Sequence, residues 1–338
     1  MNNFKIKSYT ILSITGIFSV IIIFALSIPA QAKLNRYLSG NRADVNPPLS
    51  GFVYNLGGGG IDVDAAIQWM INTVRGCTDC NTTVDVVVIR DTGGNGYNQP
   101  IIKMNGVDSV ETLVISQRQH ADRPEIIKVI QQAEVVFFAG GDQCQYVRNY
   151  RNTGVETAVK SVINRGGAVG GTSAGAMIQS DFVFNACGES VTSKKALLNP
   201  YEDISLTSDF LDWKYLENTI IDTHFKKRDR RGRLITFLAR LIRDGDTQTA
   251  LGIGIDEGTS LIIDQMGLAQ VIGNGFVEFI WADHLPEKCE PQIPLTLNNY
   301  QVWRKSSGET FDLAHLPTHH YQQLHVIQGK LYEQAESD

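Results

Sequence analysis

Gly171-Thr172-Ser173-Ala174-Gly175, entered from the apolar run Ala168-Val169-Gly170, is a G-x-S-x-G segment followed by small residues. That context predicts a strand that turns sharply into a helix and lifts one serine hydroxyl clear of the backbone. The flanking glycines fit, because a side chain there would block the turn and the approach of a substrate. The turn also leaves the Ala174 amide at a helix N-terminus, where it can donate to a developing oxyanion. The same five residues describe a plain Gly/Ser turn equally well. The reading therefore depends on finding a base, an acid and a second oxyanion donor elsewhere.

Working outward, apolar strands alternate with amphipathic helices. Residues 52–56, 84–89, 110–116 and 134–139 read as strands, and 64–74, 124–133 and 155–164 as helices. The β-branched run at 84–89 is what a strand buried on both faces requires. This alternation predicts an α/β fold, a mostly parallel sheet flanked by helices, with the site at the carboxyl ends of the strands. Both Gly140-Gly141 and Ser173 fall at such ends. Further strands at 218–221 and 252–255 end in Asp222-Thr223-His224 and Asp256-Glu257, with a helix at 234–242 between them. Toward the C-terminus the pattern changes to β-hairpins, one over 269–278 and one over 301–313 with a turn at Ser306-Ser307-Gly308.

The 338 residues carry a formal charge of −6, which argues against a nucleic-acid partner. Lys5 and Lys7, an apolar run over 9–28 and the end Pro29-Ala30-Gln31-Ala32 describe a secretory signal peptide over 1–32, cut after Ala32. The expected location is secreted or periplasmic, with an uncleaved N-terminal anchor left open as the one membrane contact. A polar linker over 33–50, a single α/β domain over 51–330 including the hairpins, and a polar tail over 331–338 complete the expected organisation. Of the five cysteines, Cys77-x-x-Cys80 reads as a local disulfide or plain loop, and the odd count leaves at least one thiol unpaired within the chain. His/Cys spacing gives no metal site, and His319-His320 reads as a solvated pair. Gly57-Gly58-Gly59-Gly60 follows a strand but lacks both phosphate-loop and dinucleotide signatures, so it reads as a glycine turn and no cofactor is expected.

A serine nucleophile needs a base within reach and an acid that orients the base. Among seven histidines, His224 follows an apolar strand directly, at the sheet end expected for Ser173. Asp222, Asp256, Glu257 and Glu189 are all candidates for the acid, because strand alternation does not say which of Asp256 and Glu257 points inward. The order serine, histidine, acid differs from that of α/β-hydrolases.

Taken in order, Phe137-Phe138-Ala139-Gly140-Gly141-Asp142-Gln143, Gly171-Thr172-Ser173-Ala174-Gly175-Ala176, Asp222-Thr223-His224-Phe225 and Gly252-Ile253-Gly254-Ile255-Asp256-Glu257 resemble the motifs of cyanophycinases. These are serine exopeptidases of peptidase family S51, related in fold to class I glutamine amidotransferases. The resemblance covers residues 52–280 and implies a flavodoxin-like sheet, with Ser173 as nucleophile, His224 as base and Glu257 as acid. It also implies an oxyanion hole built from the Gly141 and Ala174 amides. The implied substrate is cyanophycin, a poly-aspartate chain with arginine on each β-carboxyl, released as β-Asp-Arg dipeptides.

The candidate binding residues are Gln143, Asp222, Thr223, Arg228, Arg230 and Arg233, of which Gln143 and Asp222 match binding positions of the family. Arginine forks suit carboxylates, Asp222 suits a substrate guanidinium, and Gln143 a peptide group. Thr223 departs from the glutamine common in the family, which removes an amide worth about 1 kcal/mol per hydrogen bond. Rival expectations are an aspartyl-dipeptidase-like or other β-aspartyl peptidase of the same family, and a catalytically inactive exported binding protein. A homodimer is left open.

Overall fold

The computed structural model describes residues 34–334, so the expected signal peptide lies outside the described residues. Among these residues no helix is long and apolar enough to cross a membrane.

Five parallel strands form the centre of a nine-stranded sheet, in the spatial order Val107–Val114, Val84–Arg90, Val135–Phe138, Ala168–Thr172 and Val53–Gly57. Their β-branched residues serve both faces, because alternate side chains point in opposite directions. Val86 and Val88 pack under the helix Asp64–Arg75, in a cluster with Ile67, Met70 and Val74. Val87 and Ile89 point the other way, into the cluster holding Ile126 and Ile130 of helix Pro124–Gln132 and Val155 and Val159 of helix Gly154–Asn164. Parallel order brings Gly57, Arg90, Phe138 and Thr172 to one edge, so the loops that follow them share one end of the sheet.

The sheet is extended by antiparallel strands at both margins. Asn35–Gly40, expected to lie in a linker, pairs with Val107–Val114. At the other margin Thr259–Ile263 pairs with Val53–Gly57, followed by Leu268–Gly273 and Thr310–Asp312.

A second, six-stranded sheet was not foreseen. It runs Lys330–Gln334, Gln322–Ile327, Leu297–Ser306, Phe276–Ala282, Ala250–Ile255 and Thr219–Thr223. The strand before His224 therefore belongs to a different sheet from the strand before Ser173. Neither expected hairpin exists as such. Leu268–Gly273 and Phe276–Ala282 diverge after Gly273 into the two sheets, and Leu297–Ser306 and Thr310–Asp312 do the same in return. The turn residues are where the sequence suggests, but the chain crosses between layers there. The expected polar tail is likewise in part a strand, Lys330–Gln334, paired with Gln322–Ile327.

Candidate active site

Ser173 leaves strand Ala168–Thr172 with φ 54° and ψ −122°, a conformation few non-glycine residues adopt. Its backbone is held there from both sides. The Ser173 N–H donates to the Gly57 carbonyl at 2.9 Å, and the Ser173 carbonyl accepts from Ala176 and Met177. Gly175 packs against the carbonyls of Phe138 and Ala139, leaving no room for a side chain.

The Ser173 hydroxyl lies 2.8 Å from Nε2 of His224. His224 also has a positive φ, 51°, and its N–H donates to the Gly58 carbonyl at 2.8 Å. Its Nδ1 is 2.6 Å from Oε1 of Glu257. The other candidate acids are engaged elsewhere. Asp256 accepts the Lys227 amide, and Glu189 lies in an exposed loop 3.8 Å from Lys195. Burial holds His224 below the ordinary imidazole range, and the Glu257 hydrogen bond opposes that shift. Glu257 is held below the usual carboxylate range, chiefly by its hydrogen bond with His224. A neutral imidazole accepting from a hydroxyl, with a carboxylate fixing its tautomer, is an arrangement able to activate that hydroxyl.

The second half of the site is the turn after Val135–Phe138. A Cβ on Gly140 would sit 3.5 Å from Cβ of Ser173, so this turn lies directly against the serine. Neither the Gly141 nor the Ala174 amide donates to another backbone group among the described residues. Asp142 caps the helix Gln143–Tyr150 by accepting from the Cys144 amide at 2.8 Å. A Cys144–Cys187 disulfide ties this helix start to the loop beyond Val183–Phe184. Cys77 is bonded to Cys80, and Cys289 is free and buried. Gln143 is partly exposed, its amide 3.8 Å from the Met177 sulfur.

Four expected binding residues are corrected by their burial. Asp222 is 0 % exposed and accepts two hydrogen bonds from Arg233, at 2.7 and 2.6 Å, and one from Arg230 at 3.3 Å. It is saturated by the chain's own arginines and offers nothing to a substrate guanidinium. Arg233 is 1 % exposed, with its guanidinium against the rings of Phe184 and Phe237. Arg230 is nearly as buried and also donates to the Thr223 carbonyl; burial brings its pKa down to about 10. Thr223 is fully enclosed, and its hydroxyl has no partner among the described residues. The physical reason is spacing. Residues 230 and 233 stand three apart at a helix start, so both face the strand carrying Asp222. Arg228 alone of the three arginines is exposed.

The sequence reading missed the part played by the glycine turn. Three successive carbonyls, Gly57, Gly58 and Gly59, accept the amides of Ser173, His224 and Gly258. One loop thus fixes the backbone at the serine, at the histidine and beside Glu257. Gly59 has φ +88°, and a Cβ there would meet the His224 ring at 2.5 Å. Four glycines directly after a predicted strand, in a sheet whose strand ends carry the site, were the available signal.

Fold and site together define a serine-type peptidase of α/β architecture. The sequence profile of Peptidase family S51 matches residues 102–271, and the chain belongs to that family. A cyanophycinase of Trichormus variabilis is 29% identical over 219 residues, which cover 63% of this chain and 68% of the relative. A cyanophycinase of Nostoc sp. matches to the same extent. One of Synechococcus elongatus is 24% identical over 242 residues, covering 70% and 69% of the two chains. Among solved structures, a peptidase from an acI-B1 Actinobacterium shares the fold, with a TM-score of 0.54 at 20% identity, over 78% of this chain and 98% of that one.

Proposed function

We propose that this chain is an exported serine exopeptidase that hydrolyses cyanophycin to β-Asp-Arg dipeptides through an acyl-enzyme. The observation that carries the reading is the hydrogen-bonded series Ser173, His224, Glu257 at a strained elbow, in a chain similar to proteins named cyanophycinase. Export rests on the basic and apolar N-terminal sequence.

In this reading His224 takes the Ser173 proton as the oxygen attacks the scissile carbonyl. The oxyanion forms against the Gly141 and Ala174 amides, which need break no backbone bond to receive it. His224 then protonates the departing amine, and the acyl-enzyme remains. Water, deprotonated by His224, releases the product and restores the hydroxyl. Glu257 holds the imidazole in the required tautomer throughout and stabilises its cationic form. Arg228 meets a substrate carboxylate at the rim, and Gln143 a peptide group.

Incubation with insoluble cyanophycin, with products identified by mass, tests this. The expected outcome is β-Asp-Arg, with Ser173→Ala at least about a thousandfold slower. Turnover of α-Asp-X dipeptides alone would assign an aspartyl-dipeptidase-like activity instead. Equal labelling of the two proteins by a serine-directed organophosphate would remove Ser173 as nucleophile.

A further inference from the structure

The glycine loop is followed by Ile61 and Asp62 before helix Asp64–Arg75 begins. These two residues border two cavities at once. One, of about 430 Å³, is also lined by Gly60, Val63, Gly258 and Glu257, and so reaches the carboxylate bonded to His224. The other, of about 330 Å³, has walls from Ile67, Tyr97, Pro100, Ile101 and Met104, with the carboxylate of Asp64 also at its border. Ile61 stands at the rim, 83% exposed, while Asp62 is half-buried at the junction.

The hydroxyls of Thr172, the residue before the serine, and of Tyr97 favour the charged form of the Asp62 carboxylate, while the nearby Asp64 opposes it. No lysine, arginine or histidine among the described residues pairs with Asp62 within 4.0 Å, in contrast to Asp222. Burial pushes its carboxyl above the usual range, as expected for a desolvated anion without a counter-ion. Such a group gains most from a cation that arrives with the ligand. Apart from Asp64, whose negative charge adds to that of Asp62, the neighbouring walls are apolar and long enough to take methylene groups, with an aromatic ring at one side. Arg90, the cation nearest that ring at 6.0 Å, spends its guanidinium on the carbonyls of Thr92 and Gly94.

We propose that Asp62 is the specificity-determining anion of a guanidinium subsite, the role that Asp222 is too enclosed to fill. The alkyl stem of the ligand lies along Ile67, Ile101 and Met104, and its planar cation meets the carboxylate beside Tyr97. For the identity of the natural substrate this rests on the cyanophycin reading; the preference for a guanidinium does not.

The two are separated by using agmatine, which carries a guanidinium at one end of a butyl chain and an ammonium at the other, and N-carbamoylputrescine, which keeps the ammonium but replaces the guanidinium by a neutral urea, to protect Ser173 from organophosphate labelling. Each protein is compared with its own unprotected rate. Agmatine is expected to protect the wild-type protein and the urea not to. Asp62→Asn should raise the agmatine concentration for half-protection at least tenfold, and Asp62→Glu should recover part of the loss. On cyanophycin, Asp62→Asn should raise KM about tenfold more than it lowers kcat. Equal protection of wild-type and Asp62→Asn by agmatine overturns the subsite. A fall in kcat with KM unchanged also overturns it, and makes Asp62 a positioning residue acting through Thr172. Agmatine protection in a protein that leaves cyanophycin intact keeps the subsite and removes the substrate reading.

Discussion

The two sheets bring their halves of the site together under different constraints. In the parallel centre of the larger sheet, the strands Val135–Phe138, Ala168–Thr172 and Val53–Gly57 are buried at every position. In the smaller sheet, burial fades from complete in Thr219–Thr223 and Ala250–Ile255 to fully exposed in Lys330–Gln334. The serine stands on one of these frameworks and the histidine on the other. What holds them at hydrogen-bonding distance is the seam, namely three glycine carbonyls and the turn through Glu257 that leads from Ala250–Ile255 in the smaller sheet to Thr259–Ile263 in the larger. Small displacements at the seam should therefore harm activity more than stability, and buried pairs inside either sheet the reverse.

The largest effect on stability is expected inside the smaller sheet. Asp222→Ala strands Arg230 and Arg233 as buried unpaired cations, which costs about 3–5 kcal/mol and should show as a large fall in Tm. An unchanged Tm with a raised KM would instead make Asp222 a substrate contact. At the seam, Gly59→Ala should lower kcat about a hundredfold through the clash with the His224 ring, with a smaller loss of Tm. Gly94→Ala, where an added Cβ meets nothing within 4 Å, is the control and should match wild type. A Gly59 variant with normal kcat would show that the seam tolerates movement.

The pH profile sharpens the same contrast more gently. His224 acts as a base only when neutral, and burial lowers its pKa from 6.5. The acidic limb of kcat/KM should therefore fall below 6.5, with activity lost as pH drops through it. Glu257 opposes the shift, so any residual activity of Glu257→Gln should show that limb displaced further to acid. The smallest effect belongs to the far end of the larger sheet. Glu134 is 1 % exposed, and burial raises its carboxyl to about 7. The folded state holds that proton more tightly than the unfolded chain, so this contribution is full below pH 4.5 and is lost as pH rises through about 7. Glu134→Gln should melt a few degrees higher than wild type at pH 8, close to it at pH 4, and turn over substrate normally.

Much of the larger sheet was legible because its strands are apolar runs with their own turn signals. Residues 84–89 appear as Val84–Arg90, and 124–133 as helix Pro124–Gln132. Strand 218–221 carries the same kind of run, so composition could not reveal that Thr219–Thr223 belongs to another layer. Gly273-Asn274-Gly275 is a sound turn, yet turn chemistry is local and the choice of partner strand is not. Ser173 and His224 announced themselves by standing at strand ends, and their approach to 2.8 Å is a property of the folded chain. The arginines misled because a charged side chain in a sequence does not declare whether its counter-ion is a ligand or a neighbour. Asp62, one residue among a glycine-rich turn, gave no pattern at all.

The pairing of Ser260 with Gly57 also sets a timetable. During synthesis the elbow emerges well before His224, and His224 before the strand that secures the glycine loop. Contacts so distant in sequence carry a loop-closure cost before they are rewarded. A nascent chain therefore carries Ser173 as an ordinary hydroxyl, without a base at hand. The hydrogen-bonded series Ser173, His224, Glu257 can assemble only once the chain has been made through Glu257.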